Sequence, residues 1–237
     1  MSVLEAILIE QFKHNYSSVL LFDVNETLLN IEPLKKHVDD ILLEEGISNL
    51  WFSSVLQYSL SITVSNQYES FMDIGTAVLT MMAKNRNINL TVEDARDALQ
   101  IMLHLKPHKE VSEALTKLQI AGFRMATLSN SSSAASKIQL DNAGISDFFE
   151  RCFSIDHLGK YKPHSDVYNW AARAMNKSAH ECMLVAAHPW DVAGAAWAGM
   201  KTAFITRDGK SPFPLAIPPN VTANDILDLS NQLVTSR

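Results

Sequence analysis

Asp23 closes a run of apolar β-formers, Val19 to Phe22, and Thr27 follows it four residues later. An open α/β sheet presents a carboxylate at the carboxyl end of a buried strand, because ligands bind outside those ends. Asp23 is therefore the first candidate for chemistry, although Asn25 and Asn30 beside it would also suit a plain polar turn. A second apolar stretch ends on Ser129 and Asn130 and runs through three serines into a helix. A hydroxyl, an amide and unpaired helix N–H groups gathered there would hold an anionic group, and a serine there equally serves as an N-cap. Lys162 stands before the helix-initiating Pro163. A lysine at that point would keep Asp23 ionised and grip a carboxylate, unless it is an exposed loop residue. Asp191 falls at a strand-to-helix turn, AAHPWD, with Trp190 placed to wall a pocket; complementing a helix dipole is the plainer reason for an acid there.

The elements that must position these residues follow from the hydrophobic period. From Pro33 to about Lys106 the pattern reads helical. Pro33 starts a helix whose face is Leu34, Val38, Ile41 and Leu42, and Gly46 is expected to stop it. Further helices run from about Asn49 to Val64 and from Glu69 to Lys84, and a fourth begins at Thr91, which with Asp94 resembles a capping box. After Pro107 helices alternate with strands: FRMATLSN, FERCFSI, CMLVAA and KTAFIT. That alternation implies right-handed crossovers and a parallel sheet. The expected fold is α/β, a Rossmann-like core of residues 1–32 and 107–237 with an all-helical insertion, 33–106.

The totals narrow the partners. With 237 residues, 47% hydrophobic and 19% charged, the chain buries a full core and is not disordered. A net charge of −6 with scattered Lys and Arg leaves no footprint for nucleic acid. A small anionic molecule is the expected partner. Cys152 and Cys182 are isolated among apolar residues, which suits buried free thiols in a reducing cytoplasm. His104, His108, His157 and His164 lack metal-ligand spacing and read as surface or loop. The first 18 residues carry Glu5 and Glu10 and lack a basic leader, so they do not read as a signal peptide. No uncharged apolar run is long enough to span a membrane. A soluble, cytoplasmic protein is the expectation. The Met-rich stretch MDIGTAVLTMMAK suits the core of the helical insert or a dimer surface.

Asp23 with Thr27, Ser129, Lys162 with Pro163, and Asp191 follow the four-motif order of the haloacid dehalogenase superfamily, which the chain resembles from about Val19 to Thr206. The resemblance implies that the strand-end Asp attacks the substrate and forms an ester that water cleaves, and that the helical insert is a cap over the site. Most members are magnesium-dependent phosphatases with a second Asp two residues after the nucleophile to protonate the leaving alkoxide. That position is Asn25 here, and losing a general acid typically costs about 10²- to 10⁴-fold in rate. The usual first acid of the fourth motif is Ala187, which leaves too few oxygen ligands for a hard cation. A halide departs as a stable anion and requires neither proton nor metal, so no cofactor and no metal are expected.

In detail, FDVNETLL, ATLSNSS, YKPHSDVY and PWDVAGA look like the L-2-haloacid dehalogenase branch. Carried over, Asp23 is the nucleophile, Thr27 orients it, and Ser129 and Lys162 bind the substrate carboxylate. Asn130 contacts the halide, Tyr168 supports the lysine, and Asp191 activates the hydrolytic water. The segment LWFSSVLQYSL matches the branch's halide-binding helix, yet its halide-holding Arg is Phe52, and no Arg or Lys lies between Lys36 and Lys84. The Ser and Asn expected before the Trp–Asp pair are Ala186 and His188. A His188 protonated by neighbouring carboxylates would replace the lost donor; a neutral ring bonded within the turn is the alternative. The branch is commonly dimeric, while the sequence leaves the oligomeric state open. The expectation is a cofactor-independent hydrolase of 2-haloalkanoic acids. Its rivals are a phosphatase of the same fold and a non-catalytic binding protein.

Overall fold

The computed structural model describes residues 17–236, so the reading of the N-terminal stretch as no signal peptide falls almost wholly outside the described part. Six parallel strands form one sheet in the order β3-β2-β1-β4-β5-β6: β1 Val19–Phe22, β2 Arg124–Ser129, β3 Arg151–Ser154, β4 Cys182–Ala186, β5 Lys201–Ile205 and β6 Val221–Ala223. Strand β1 is central and wholly buried, which is why it reads as an unbroken apolar run rather than an alternating one. Its register is Phe22 level with Thr127 on one side and Val185 on the other. The chain leaves β1 for β2 and β3, then returns to β4 across β1. That reversal opens a crevice at the carboxyl ends of β1 and β4.

Four helices lie between β1 and β2: α1 Glu32–Leu42, α2 Ile47–Val64, α3 Phe71–Asn85 and α4 Val92–Leu99. Thr91 and Ser70 cap α4 and α3 by accepting from Asp94 N and Asp73 N. Helix α1 stops earlier than Gly46: Leu43 takes the left-handed conformation, φ 56°, and Gly46 instead opens α2. The cause is Asp39, whose carboxylate accepts from Gly46 N at 2.9 Å and Ser48 N at 2.7 Å, capping α2 from the preceding helix. The remaining helices are α5 Val111–Ile120, α6 Ser133–Ala143, α7 Ser165–Ala174, α8 Pro189–Trp197 and α9 Ile226–Thr235. Strand β6 and helix α9 extend the sheet beyond the last strand expected from the sequence.

Cys182 is buried in β4, whereas Cys152 is exposed, contrary to expectation, because β3 is an edge strand. His108 is half-buried, its Nε2 lying 3.1 Å from the Glu26 carbonyl. Among the described residues no helix is long and apolar enough to cross a membrane.

Candidate active site

Asp23 is placed by the sheet itself, one residue beyond β1, where its N–H donates to Val185 O at 3.0 Å. The loop after it is held by Arg207, whose Nη2 donates to Thr27 O at 2.8 Å. Thr27 is fully buried and faces back. Its hydroxyl donates to Asp23 Oδ2 at 2.7 Å and accepts from Ala187 N at 2.9 Å. The first strand end is thereby tied to the fourth.

Lys162 is 2 % exposed, so it is not the exposed loop lysine that the alternative reading requires. Its Nζ donates to Asp23 Oδ1 at 2.9 Å, to Asp191 Oδ2 at 2.6 Å and to Leu128 O at 2.8 Å. An ammonium has three protons, and all three are engaged within the protein. Trp190 adds its ring face 5.9 Å from Nζ. Burial would raise the Asp23 pKa, but Lys162, His188 and Thr27 outweigh it and hold the carboxyl well below the usual carboxylate range. Burial lowers the Lys162 pKa, and Asp191 and Asp23 reverse that and raise it. Asp191 differs: burial raises its pKa and the Asp23 charge adds to that, so it stays above its ordinary value despite Lys162. A buried carboxylate kept ionised beside a more basic one is a pairing able to combine nucleophilic attack with water activation.

Tyr168, fully buried on α7, donates to Asp191 Oδ1 at 2.6 Å. It therefore orients the carboxylate and reaches the lysine only through it. Asn130 Oδ1 accepts from Lys162 N at 3.0 Å, and its buried Nδ2 has no hydrogen-bond partner, leaving one donor for a ligand. Ser129 Oγ accepts from Ser131 N at 3.1 Å. Asn25 is turned elsewhere: its Oδ1 accepts from Gln139 Nε2 at 3.0 Å and its Nδ2 lies 3.4 Å from Ser131 Oγ.

His188 closes the opposite side of Asp23. Its Nδ1 is 3.0 Å from Asp23 Oδ2, and its Nε2 is 2.9 Å from Glu26 Oε2. Burial would neutralise the ring, yet Asp23 and Glu26 overcome this and push its pKa up to about 9. Phe52 of α2 stacks on the ring at 6.0 Å and Trp190 at 5.3 Å. The helical segment therefore meets the strand ends through an aromatic side chain on a cation.

Glu26 was invisible to the motif reading. It is buried at φ 65°, and its carboxylate also meets Lys35 at 3.2 Å and Lys210 at 2.9 Å. The signal that would have found it is the need of a buried cationic ring for a second counter-ion. A groove of about 710 Å³ between α2 and the core reaches this centre, lined by Leu56, Leu60, Lys162, Pro163 and Trp190 among others.

The donor set does not suit a divalent cation. Both oxygens of Asp23 and both of Asp191 already accept from Lys162, Thr27, His188 or Tyr168. An octahedral ion wants those same oxygens without two cations beside them.

The family model for haloacid dehalogenase-like hydrolases matches residues 20–205. The (S)-2-haloacid dehalogenase of Pseudomonas sp. (strain YL) is 27% identical over 197 residues, covering 82% of this chain and 85% of that one. Haloacetate dehalogenase H-2 of Moraxella sp. (strain B) is 29% identical over 205 residues, covering 86% and 92%. Among solved structures, the L-2-haloacid dehalogenase of Xanthobacter autotrophicus superposes with a TM-score of 0.84 at 20% identity over 92% of this chain and 98% of that one. That enzyme has also been solved with chloropropionic acid covalently bound.

Proposed function

Because the chain belongs to the haloacid dehalogenase-like hydrolase family, we propose that it displaces halide from a 2-haloalkanoic acid through an ester on Asp23. One observation carries the reading: Lys162 Nζ bridges Asp23 Oδ1 at 2.9 Å and Asp191 Oδ2 at 2.6 Å. The ammonium there holds Asp23 anionic and polarises no phosphoryl oxygen.

Asp23 attacks the carbon bearing the halogen, the halide leaves with the bonding pair, and Asp191 takes a proton from the water that opens the ester. Asn25 fits the same reading, since its amide is bound to Gln139 and cannot protonate a leaving alkoxide. Residues 33–106 act as the cap, and the substrate enters along the groove under α2. The unpartnered Asn130 Nδ2 is the donor offered to the departing halide. Lys162, with no free proton, acts first on Asp23; it meets a substrate carboxylate only by releasing one of its present partners. A cytoplasmic location and a homodimer belong to the same reading.

The test is halide release from L-2-chloropropionate and bromoacetate in EDTA, with Asp23→Asn as control. Release that survives chelation and is abolished by the substitution is expected. Release that persists in Asp23→Asn, or magnesium-dependent phosphate release from an aryl phosphate, overturns the reading.

A further inference from the structure

The two oxygens of Asp23 are not equivalent. Oδ1 accepts from Lys162 at 2.9 Å, whereas Oδ2 accepts from the Thr27 hydroxyl at 2.7 Å and meets His188 Nδ1 at 3.0 Å. Thr27 Oγ1 itself accepts from Ala187 N, which leaves its single proton aimed at Oδ2. The ring of His188 is held by its Asp23 contact and by stacking, its Nε2 meeting Glu26 within ion-pair distance but without a hydrogen bond. Glu26 Oε2 lies 2.9 Å from Nε2, and Phe52 and Trp190 stack on the ring. With two donors on Oδ2 and one on Oδ1, the lone pair left to attack carbon belongs to Oδ1.

We infer that His188 and Thr27 form the oxyanion cradle of the ester-hydrolysis step, with His188 supplying a charged donor where the relatives' motif has an amide. The inference rests on the function proposed above. The alkyl group ends on Oδ1, so Oδ2 becomes the ester carbonyl oxygen. Water then adds to Cγ, its proton passes to Asp191, and the carbonyl pair moves onto Oδ2 between Nδ1–H and Oγ1–H. Collapse restores the carbonyl and breaks the Cγ–Oδ1 bond. The 2-hydroxy acid leaves with Oδ1 and takes the proton back from Asp191, and the water oxygen becomes the new Oδ1 once its second proton has passed to bulk water, which restores the carboxylate.

The same cation works against the first step, because it stabilises the attacking carboxylate. The two half-reactions therefore respond to His188 in opposite senses. Esterification also removes the Asp23 charge. Of the groups around the ring, Glu26 then remains as the carboxylate that keeps it protonated, with Lys210 and Lys35 on the far side of Glu26 and Lys162 beyond Asp23. Glu26 is thus a positioning residue.

The experiment mixes wild type and His188→Asn with bromoacetate and follows the halide burst together with the intact protein mass. His188→Asn is expected to release its first halide at least as fast as wild type but to hydrolyse the ester about 10²-fold more slowly, the usual loss for one oxyanion donor. Protein heavier by a carboxymethyl group accumulates. Equal slowing of both steps, or of neither, overturns the inference while leaving the function standing. A wild type that neither releases halide nor gains mass overturns the function beneath it. Glu26→Gln leaves the ring in place and provides a second reading should His188→Asn not fold. Its alkaline limit for ester hydrolysis is expected at lower pH than in wild type; an unmoved hydrolysis profile counts against the cradle.

Discussion

Gly194 of α8 lies against Pro163 so closely that a Cβ added to it would stand 2.3 Å from Pro163 Cβ and 2.8 Å from the Tyr168 hydroxyl. Lys162 precedes that proline, and Tyr168 holds Asp191, which sits on α8 three residues before the glycine. The glycine is what lets the helix bearing Asp191 approach the loop bearing Lys162. Alanine in a helix is ordinarily better than glycine by about 0.5–1 kcal/mol. Overpacking a filled site costs roughly 1–3 kcal/mol, so the clash wins. Gly194→Ala is expected to lower Tm by about 2–4 °C per kcal/mol lost and to reduce halide release. Equal Tm and activity would mean that the contact is slack.

Lys162 separates two buried carboxylates, and its removal is expected to invert the response of Asp23 to acid. Asp23 is held below its ordinary value of 3.8. Its contribution to stability is thus present above that value and lost as pH falls through the lower folded one. In Lys162→Met the carboxylates face each other without the cation, and uptake of a proton relieves them. Breaking such a buried pair costs about 3–5 kcal/mol at neutral pH. Urea denaturation is expected to show the variant gaining stability from neutral pH down to about pH 5, where Asp/Glu protonation becomes accessible. A variant that keeps the wild-type acid slope would contradict this.

His188 sets the alkaline side. Its pKa rises from 6.5 in the unfolded chain to about 9 in the fold. Its stabilisation is therefore complete below 6.5 and is lost as pH rises through about 9. The shift corresponds to about 3 kcal/mol, and it is the same interaction that lowers Asp23 and Glu26, so the effects are not summed. Chemical denaturation across that window is expected to show the loss in wild type and a flatter profile in His188→Asn. A wild type with a flat profile would mean a neutral ring.

The strands and helices that place the site were legible where their signals are local: β1 is apolar throughout, α1 carries a clear apolar face, and α3 and α4 carry their own caps. Asp23 was legible because it directly follows β1, and Thr27, Lys162 and Asp191 because they lie in the segments that leave β1, β3 and β4. What stayed hidden depends on partners distant in sequence. The end of α1 is decided by Asp39 rather than by Gly46. The exposure of Cys152 follows from strand order, which no local pattern encodes. Strand β6, Val221–Ala223, is too short for a period and follows a proline-rich stretch. The support expected from Tyr168 to the lysine is indirect, because its hydroxyl meets Asp191 rather than Lys162. Glu26 lay inside the first motif and became visible only when His188 was found to need a second carboxylate.

Phe52 and His188 are expected to behave as a compensating pair. The relatives' pattern places a cation on the cap helix and a neutral amide on β4's end; this chain places Phe52 on the helix and a cationic ring on the strand end, with centroids 6.0 Å apart. Restoring arginine alone therefore sets two cations about 6 Å apart, worth about 3 kcal/mol of repulsion at an effective dielectric near 20. Phe52→Arg is expected to weaken both folding and halide release. In Phe52→Arg/His188→Asn the repulsion is gone and the arginine is free to hold the halide, so the double variant recovers the folding and the first-turnover halide release that the single one loses. A double-mutant cycle on both readouts is expected to give a coupling of about 1–3 kcal/mol. Additive effects would show that the ring and the helix residue act independently, and the positive charge at His188 would then have no bearing on what stands at position 52.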